Sequence, residues 1–133
     1  KNTKNSYSLD SYSFYIITLH VRCRYAETEK VGAIILVSAC FTDLGDEGER
    51  RSGYYPSRDG TSNKWDFEAM TENCPVFFQF HSDNDPFIPL GGEALAVKEG
   101  LGLEDSFVLL PRRSHFFDAP FPELLELVDQ LTC

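Results

Sequence analysis

The feature that most constrains the fold is a ten-residue apolar run, VGAIILVSAC, at residues 31–40. It is rich in β-branched side chains and does not alternate with polar ones, as a strand with one solvated face would. Runs of this kind are typical of strands that are covered on both faces, as in parallel sheets. CPVFFQF at 74–80 and SFVLLP at 106–111 have the same character. The three runs predict strands of one buried, mostly parallel sheet.

Segments that favour helices alternate with these strands, and they lie at residues 24–30, 65–72, 92–101 and 121–131. Alternation of strand and helix predicts an α/β fold, a doubly wound sheet with helices on both faces. Residues 14–21 fit a strand or a short helix equally well. Residues 41–58 are charged and glycine-rich, and they are predicted to form an excursion over the surface.

Length, charge and cysteine content restrict the class of protein. A chain of 133 residues is one domain's worth, and its net charge of −9 argues against nucleic acid as a partner because an acidic surface repels phosphates. The apolar run at 14–21 is too short to span a bilayer, so no membrane partner is expected. The cysteines show neither C-x-x-C nor zinc spacing, which predicts reduced thiols, a cytoplasmic protein and no cofactor; they are Cys23, Cys40, Cys74 and Cys133.

Polar motifs follow the second and third apolar runs. HSDNDPFIP occupies residues 81–89, and RRSHFF, with His115, occupies 112–117. Since parallel strands end at the same edge of a sheet, Asp85 and His115 are expected to lie close together. A carboxylate that orients an imidazole is the acid and base of a Ser–His–Asp triad. Asp83 is a competing acid, and the alternative is that both aspartates are ordinary turn residues.

The nucleophile of such a triad is missing, because G-x-S-x-G occurs nowhere in the 133 residues. Ser38 ends the first buried run but lacks the flanking glycines of a sharp elbow. It is predicted to be a strand-end serine with satisfied hydrogen bonds. Cys23 and Cys40 are the remaining candidate nucleophiles, although Cys40 has the setting of a core residue.

Two metal interpretations are weaker. His81, Asp83 and Asp85 could contact a metal ion. A zinc site, however, needs a third ligand at a suitable spacing from an imidazole and a carboxylate, and no H-E-x-x-H is present. The acidic stretch at 43–49 matches a calcium loop only loosely, since Gly45 stands where an EF-hand has Asp or Asn. No metal is therefore predicted, and the stretch is expected to be a solvated loop.

Several sequence blocks together resemble a known family. RYAET, LVSA and DLGDE lie within residues 24–54, and DPF-x-P follows at 85–89. The chain resembles, over about residues 24–131, the serine hydrolases typified by retinoblastoma-binding protein nine. The resemblance implies a three-layer α/β-hydrolase fold and hydrolysis of a small ester or amide. It also implies that Asp85 is the triad acid and His115 the triad base.

The chain departs from that family at identifiable positions. The elbow should stand about ten residues before RYAET, where this chain has FYIITLHVRC at 14–23, without serine or glycine. Where the family has a glycine directly before the triad histidine, this chain has Ser114. The expectation is a divergent leader at 1–23 and the carboxyl-terminal part of a hydrolase domain at 24–133, with the amino-terminal half incomplete. The pocket-protein motif L-x-C-x-E is absent, so the sequence gives no ground for retinoblastoma binding.

Such a chain is expected to be nearly inactive alone. The rival interpretation is a truncated isoform or pseudoenzyme that acts as a binding module. A flavodoxin-like domain is disfavoured because no glycine-rich phosphate loop follows a strand. An incomplete sheet would expose an edge, which predicts marginal stability and self-association through that edge.

Overall fold

A computed structural model of the chain describes residues 14–16, 20–118 and 120–132. Its described strands form one sheet in the order β1-β2-β3-β4, and neighbouring strands are parallel. The strands are β1 (Phe14–Ile16), β2 (Ala33–Val37), β3 (Phe77–Ser82) and β4 (Phe107–Leu110). Ile34 pairs with Phe77, and Phe80 pairs with Val108. The predicted parallel sheet is confirmed.

Each connection between consecutive strands contains helical structure. The helices are α1 (His20–Ala26), α2 (Glu47–Ser52), α3 (Phe67–Asn73), α4 (Leu95–Leu101) and α5 (Pro122–Thr132). An irregular turn at Leu90–Ala94 precedes α4 and contains Gly92 at φ +79°, a conformation that glycine adopts without strain. The ambiguous segment 14–21 contains both β1 and the start of α1, and its residues 17–19 lie outside the described ones. The predicted leader boundary falls within α1, and it stays a prediction.

Helices cover both faces of the sheet, as the α/β pattern predicts. On one face, Ile34 and Leu36 of β2 pack with Met70 of α3 and Val97 of α4. On the other, Ile35 packs in a cluster with Phe80 and Leu127, the latter from α5. This alternation along β2 explains the unbroken apolar run, because consecutive side chains of a strand enter opposite layers and both layers are dry.

The 41–58 excursion is more ordered than the sequence suggests. It contains α2, a helix that was not predicted because none of its residues is buried and it has no apolar stripe. Asp46 caps the helix by accepting a hydrogen bond from the Glu49 amide. The prediction of a wholly solvated loop is wrong for Asp43, whose side chain is only 4 % exposed. Tyr55 is also buried, in a small cluster with Cys40 and Ile88.

The described cysteines and helices bear on the compartment only indirectly. Cys23, Cys40 and Cys74 are buried free thiols. Within residues 14–16, 20–118 and 120–132, no helix has both the length and the apolar character needed to cross a membrane.

Candidate active site

Asp85 lies in the turn that follows β3, and its side chain is fully buried. Oδ1 accepts hydrogen bonds from the backbone amides of Phe87 (2.9 Å) and Ile88 (3.0 Å). Oδ2 accepts a hydrogen bond from the Ser38 hydroxyl at 2.8 Å. A turn stiffened by Pro86 and Pro89 and closed by the aspartate's own side chain fixes the direction of the carboxylate.

The same contacts determine the ionisation of Asp85. Burial raises the pKa of the carboxyl group. The hydrogen bonds from Ile88, Phe87, His115 and Ser38 outweigh burial and hold that pKa below its usual range. Donors that favour the charged form thus keep Asp85 a carboxylate at neutral pH.

His115 lies beside this carboxylate, in the loop between β4 and α5. Its Nδ1 is 2.9 Å from Asp85 Oδ2 and 3.1 Å from Oδ1. The side chain is 27 % exposed. When Nδ1–H donates to Asp85, Nε2 carries the lone pair, and the described residues provide no hydrogen-bond partner for Nε2. The structure brings together the two residues that the sequence pairs.

Aromatic rings enclose the imidazole. Phe87 and Phe117 lie 5.2 Å from the His115 ring, centroid to centroid, and 5.9 Å from each other. The two phenyl rings are themselves 57 % and 69 % exposed. They restrict rotation of the imidazole and surround it with apolar surface, while its outer edge stays accessible.

A second set of contacts aligns the two loops that carry Asp85 and His115. Three consecutive side chains, beginning with the last residue of β3, accept hydrogen bonds from three consecutive backbone amides after β4. The pairs are Asp83 Oδ1 with Arg112 N (2.8 Å), Ser82 Oγ with Arg113 N (2.9 Å) and Asn84 Oδ1 with Ser114 N (2.9 Å). Ser82, Asp83 and Asn84 therefore act as a template that aligns two segments. One is the loop at 111–118, which carries His115 and is called the base loop; the other is the turn at 83–89, which carries Asp85 and is called the acid turn. Asp83, the competing acid, belongs to this template.

The base loop has an unusual backbone. Arg112, Ser114 and Phe116 all have positive φ, between 52° and 56°. Such values are uncommon for residues with a Cβ atom and are maintained only where surrounding contacts enforce them. The value at Ser114 gives a physical reason for a glycine at this position in the resembled family, because glycine adopts this conformation readily.

Ser38 directly follows β2, and the partner that satisfies its hydroxyl is Asp85. Its φ is +49°. A triad nucleophile hydrogen-bonds to the imidazole Nε2, whereas Ser38 contacts the carboxylate on the Nδ1 side. Ser38 is thus placed to orient the acid and not to attack a substrate. Its local sequence carries no signal for this role, since the two residues are 47 positions apart.

The two candidate thiols are poorly suited to nucleophilic attack. Burial raises the pKa of Cys23 to about 12. Burial, followed by the negative charges of Glu93 and Glu49, raises that of Cys40 to about 12 as well. The nucleophilic form of cysteine is the thiolate, which is negligible at neutral pH for such groups.

His81, part of the metal interpretation, lies in β3 with its side chain fully buried. Its Nε2 is 3.1 Å from the Ile88 carbonyl, so it donates to the segment that follows Asp85. Gln79, on the same face of β3, donates to the Ala94 carbonyl. His81 thus supports the turn that carries Asp85, and Gln79 holds the irregular turn that precedes α4. Within the described part of the chain, no three His, Cys, Asp or Glu side chains are grouped to hold a metal ion.

Comparison with known proteins identifies a related protein. The chain is 40 % identical over 108 residues to the serine hydrolase RBBP9 of Rattus norvegicus, an alignment that covers 81 % of this chain and 53 % of that protein. The chain is related to the RBBP9 serine hydrolases. It spans about half the length of this curated RBBP9 relative. No protein-family model matches the chain.

A solved structure is similar in fold to this chain. The ydeN gene product from B. subtilis superimposes with a TM-score of 0.64 at 15 % identity, covering 88 % of this chain and 64 % of that one. At 15 % identity the match shows a similar fold and gives no information about function. The fold is α/β-hydrolase-like.

Proposed function

We propose that Asp85 and His115 are the acid and base of a Ser–His–Asp hydrolytic site that acts on a small ester or amide. The observation that carries the proposal is the hydrogen bond between His115 Nδ1 and the buried Asp85 carboxylate. The relationship to the serine hydrolase RBBP9 favours this reaction over other uses of the pair.

In this mechanism His115 Nε2 accepts the proton of an attacking serine hydroxyl and later gives it to the leaving group. Asp85 holds the imidazole in the required tautomer and stabilises the imidazolium that forms. Ser38 is a positioning residue, since its hydroxyl and two backbone amides hold the carboxylate in place.

The nucleophile defines what this polypeptide can do. The sequence contains no G-x-S-x-G, and the Ser38 hydroxyl contacts the acid and not the base. Loss of a triad nucleophile costs on the order of a millionfold in rate. We therefore expect that a fluorophosphonate probe labels no serine in a way that depends on the native fold. Any labelling should be the same before and after heat denaturation. Heat-sensitive labelling at any serine, Ser38 included, would contradict this expectation.

The acid–base pair is testable without a nucleophile. Diethyl pyrocarbonate modifies the unprotonated imidazole nitrogen, and Asp85 is proposed to keep that nitrogen at Nε2. Asp85→Asn should slow modification of His115 by at least about threefold, because asparagine no longer fixes the tautomer that leaves the lone pair on the accessible Nε2. Rates are read by peptide mass spectrometry, with N-acetylhistidine in the same tube as reference.

Asp43→Asn is the matched control, since it removes another buried carboxylate that is not bonded to a histidine. Its rate at His115 should equal that of the parent protein. If Asp85→Asn also leaves the rate unchanged, Asp85 does not direct the imidazole, and the proposed pair is wrong.

A cytoplasmic location and a role without nucleic acid or membrane partners belong to the same proposal. Three buried free thiols support a reducing compartment. The net charge of −9 supports the absence of nucleic acid.

A further inference from the structure

A cavity lies beyond the end of β2 and is separate from the proposed acid–base pair. It has a volume of about 570 Å³, within the range of small-molecule sites. Its walls include the aromatic rings of Phe41, Trp65 and Phe67, and neither Asp85 nor His115 lines it. A concave surface with aromatic walls is suited to a planar apolar group.

The aromatic walls are fixed before any ligand binds. The Trp65 indole N–H donates to the Phe41 carbonyl at 2.9 Å. The Arg24 guanidinium lies 4.0 Å from the Trp65 ring centroid, and Phe41 stacks with Phe67 at 6.2 Å. Side chains that are already ordered lose little entropy on binding, so such a site is pre-organised.

The cavity is also lined by two cations, Arg58 and Lys64. Asp43 lines it too, but its carboxylate accepts hydrogen bonds from the Gly45 amide (2.8 Å) and from Arg50 (3.0 Å). Arg50 thus compensates the charge of Asp43, and the Arg58 contact with it is longer, at 3.5 Å. In a chain with a net charge of −9, this concentration of positive charge is an exception.

Neighbouring carboxylates are engaged by protein donors. Asp59 accepts hydrogen bonds from Ser57 and Thr61. Glu93 accepts hydrogen bonds from the amides of Phe41 and Thr42. Among the described residues, no ion pair is formed by Lys64. Lys64 is therefore available to an added anion, whereas Arg58 is partly engaged by Asp43 at 3.5 Å.

We propose that this cavity binds a small molecule with an aromatic body and an anionic end, such as an aromatic carboxylate. The ring would pack against Trp65 and Phe67, and the anion would face Arg58 and Lys64. The inference goes beyond the proposed hydrolysis, because binding requires neither Asp85 nor His115.

Trp65 is the only tryptophan of the chain, so its fluorescence reports on this cavity alone. Phenylacetate, phenylacetamide and acetate separate the contributions of ring and charge, and none absorbs at the excitation wavelength of tryptophan. We expect saturable change with phenylacetate and a Kd of about 1 mM, as suits a ten-atom ligand. Phenylacetamide and acetate should bind at least about fivefold more weakly.

The double variant Arg58→Gln/Lys64→Gln should weaken phenylacetate binding by about fivefold and leave phenylacetamide unchanged. Arg58→Lys/Lys64→Arg keeps both charges and should keep the preference for phenylacetate. Arg112→Gln, which removes a charge outside the cavity, should behave as the parent protein does. Equal binding of phenylacetate and phenylacetamide, retention of the preference in the neutralised variant, or no saturable signal would each overturn the proposal. Binding needs no turnover, so this result is independent of the diethyl pyrocarbonate test.

Discussion

Two buried carboxylates, Asp85 and Asp43, show how the same group serves different purposes in two regions of the molecule. Asp43, in the 41–58 excursion, is held by the Gly45 amide and by the guanidinium groups of Arg50 and Arg58. Asp85 is held by neutral donors and by an imidazole. The comparison teaches that burial of an acid indicates little about chemistry, whereas a partner that exchanges protons near neutral pH indicates a great deal.

The largest expected effect comes from deleting each carboxylate. Asp85→Ala leaves Ser38, His115 and two amides without their acceptor, and it should lower the free energy of unfolding by about 2–3 kcal/mol. Asp43→Ala should cost less, because Arg50 and Arg58 are about half exposed and regain water. Urea titrations at constant m-value measure both. An equal or larger loss for Asp43→Ala would break the comparison.

The hydroxyl of Ser38 should have an intermediate effect. Ser38→Ala removes its hydrogen bond to buried Asp85 and should destabilise the fold by about 1 kcal/mol. Ser38→Gly should lose less, since glycine adopts the positive φ of this position freely. The control is Ser57→Ala, which removes exposed hydrogen bonds to Asp59 and to the backbone of Ser62 and should cost less than Ser38→Ala. Thermal melts of the three variants decide the matter, and an unaffected Ser38→Ala would show that the hydroxyl does not hold the acid.

The dependence of stability on pH should also separate the two regions. Burial lowers the pKa of His81, against the opposing effects of Asp85 and of its hydrogen bond to Ile88. The folded state therefore disfavours the protonated form. Stability should be fully present above the ordinary histidine value of 6.5 and should fall as the pH drops below it towards the folded pKa.

His81→Gln keeps an N–H for the Ile88 carbonyl but cannot titrate, so its melting temperature should decline less than that of the parent between pH 7 and pH 5. Asp43→Asn should retain the parental decline, because it leaves His81 and its surroundings unchanged. If the melting temperatures of His81→Gln and of the parent decline equally, His81 is not the source of the pH dependence.

The smallest expected effect concerns backbone strain. Ser114 in the base loop and Asn63 near the excursion both have positive φ. Asn63 donates from its side chain to the carbonyls of Gly53 and Tyr55, whereas the described residues offer the Ser114 hydroxyl no hydrogen bond. Ser114→Gly should therefore stabilise the fold by about 0.5 kcal/mol, and Asn63→Gly should destabilise it. Urea midpoints measure both changes, and a destabilising Ser114→Gly would indicate that the serine side chain matters.

The adjacency of Asp85 and His115 could be predicted because it depends on a rule of parallel sheets, in which strand ends meet at one edge. His115 contacts Asp85 and not Asp83, and the reason lies in contacts that the sequence does not display. Asp83 contacts the amide of Arg112, 29 positions away. The burial of Asp43 was missed because acidic residues in a glycine-rich stretch are usually solvated.

The sequence by itself determined the parallel sheet, the two dry layers beside it and the loops that carry an acid and an imidazole. These follow from local patterns, since side-chain alternation and apolar content act over a few residues. Only the tertiary structure decided that Ser38 holds Asp85, that Ser82, Asp83 and Asn84 align the base loop, and that Arg58 and Lys64 line an aromatic cavity. Each of these depends on hydrogen bonds or packing between segments that are distant in the chain, and such contacts exist only once the strands have set those segments side by side.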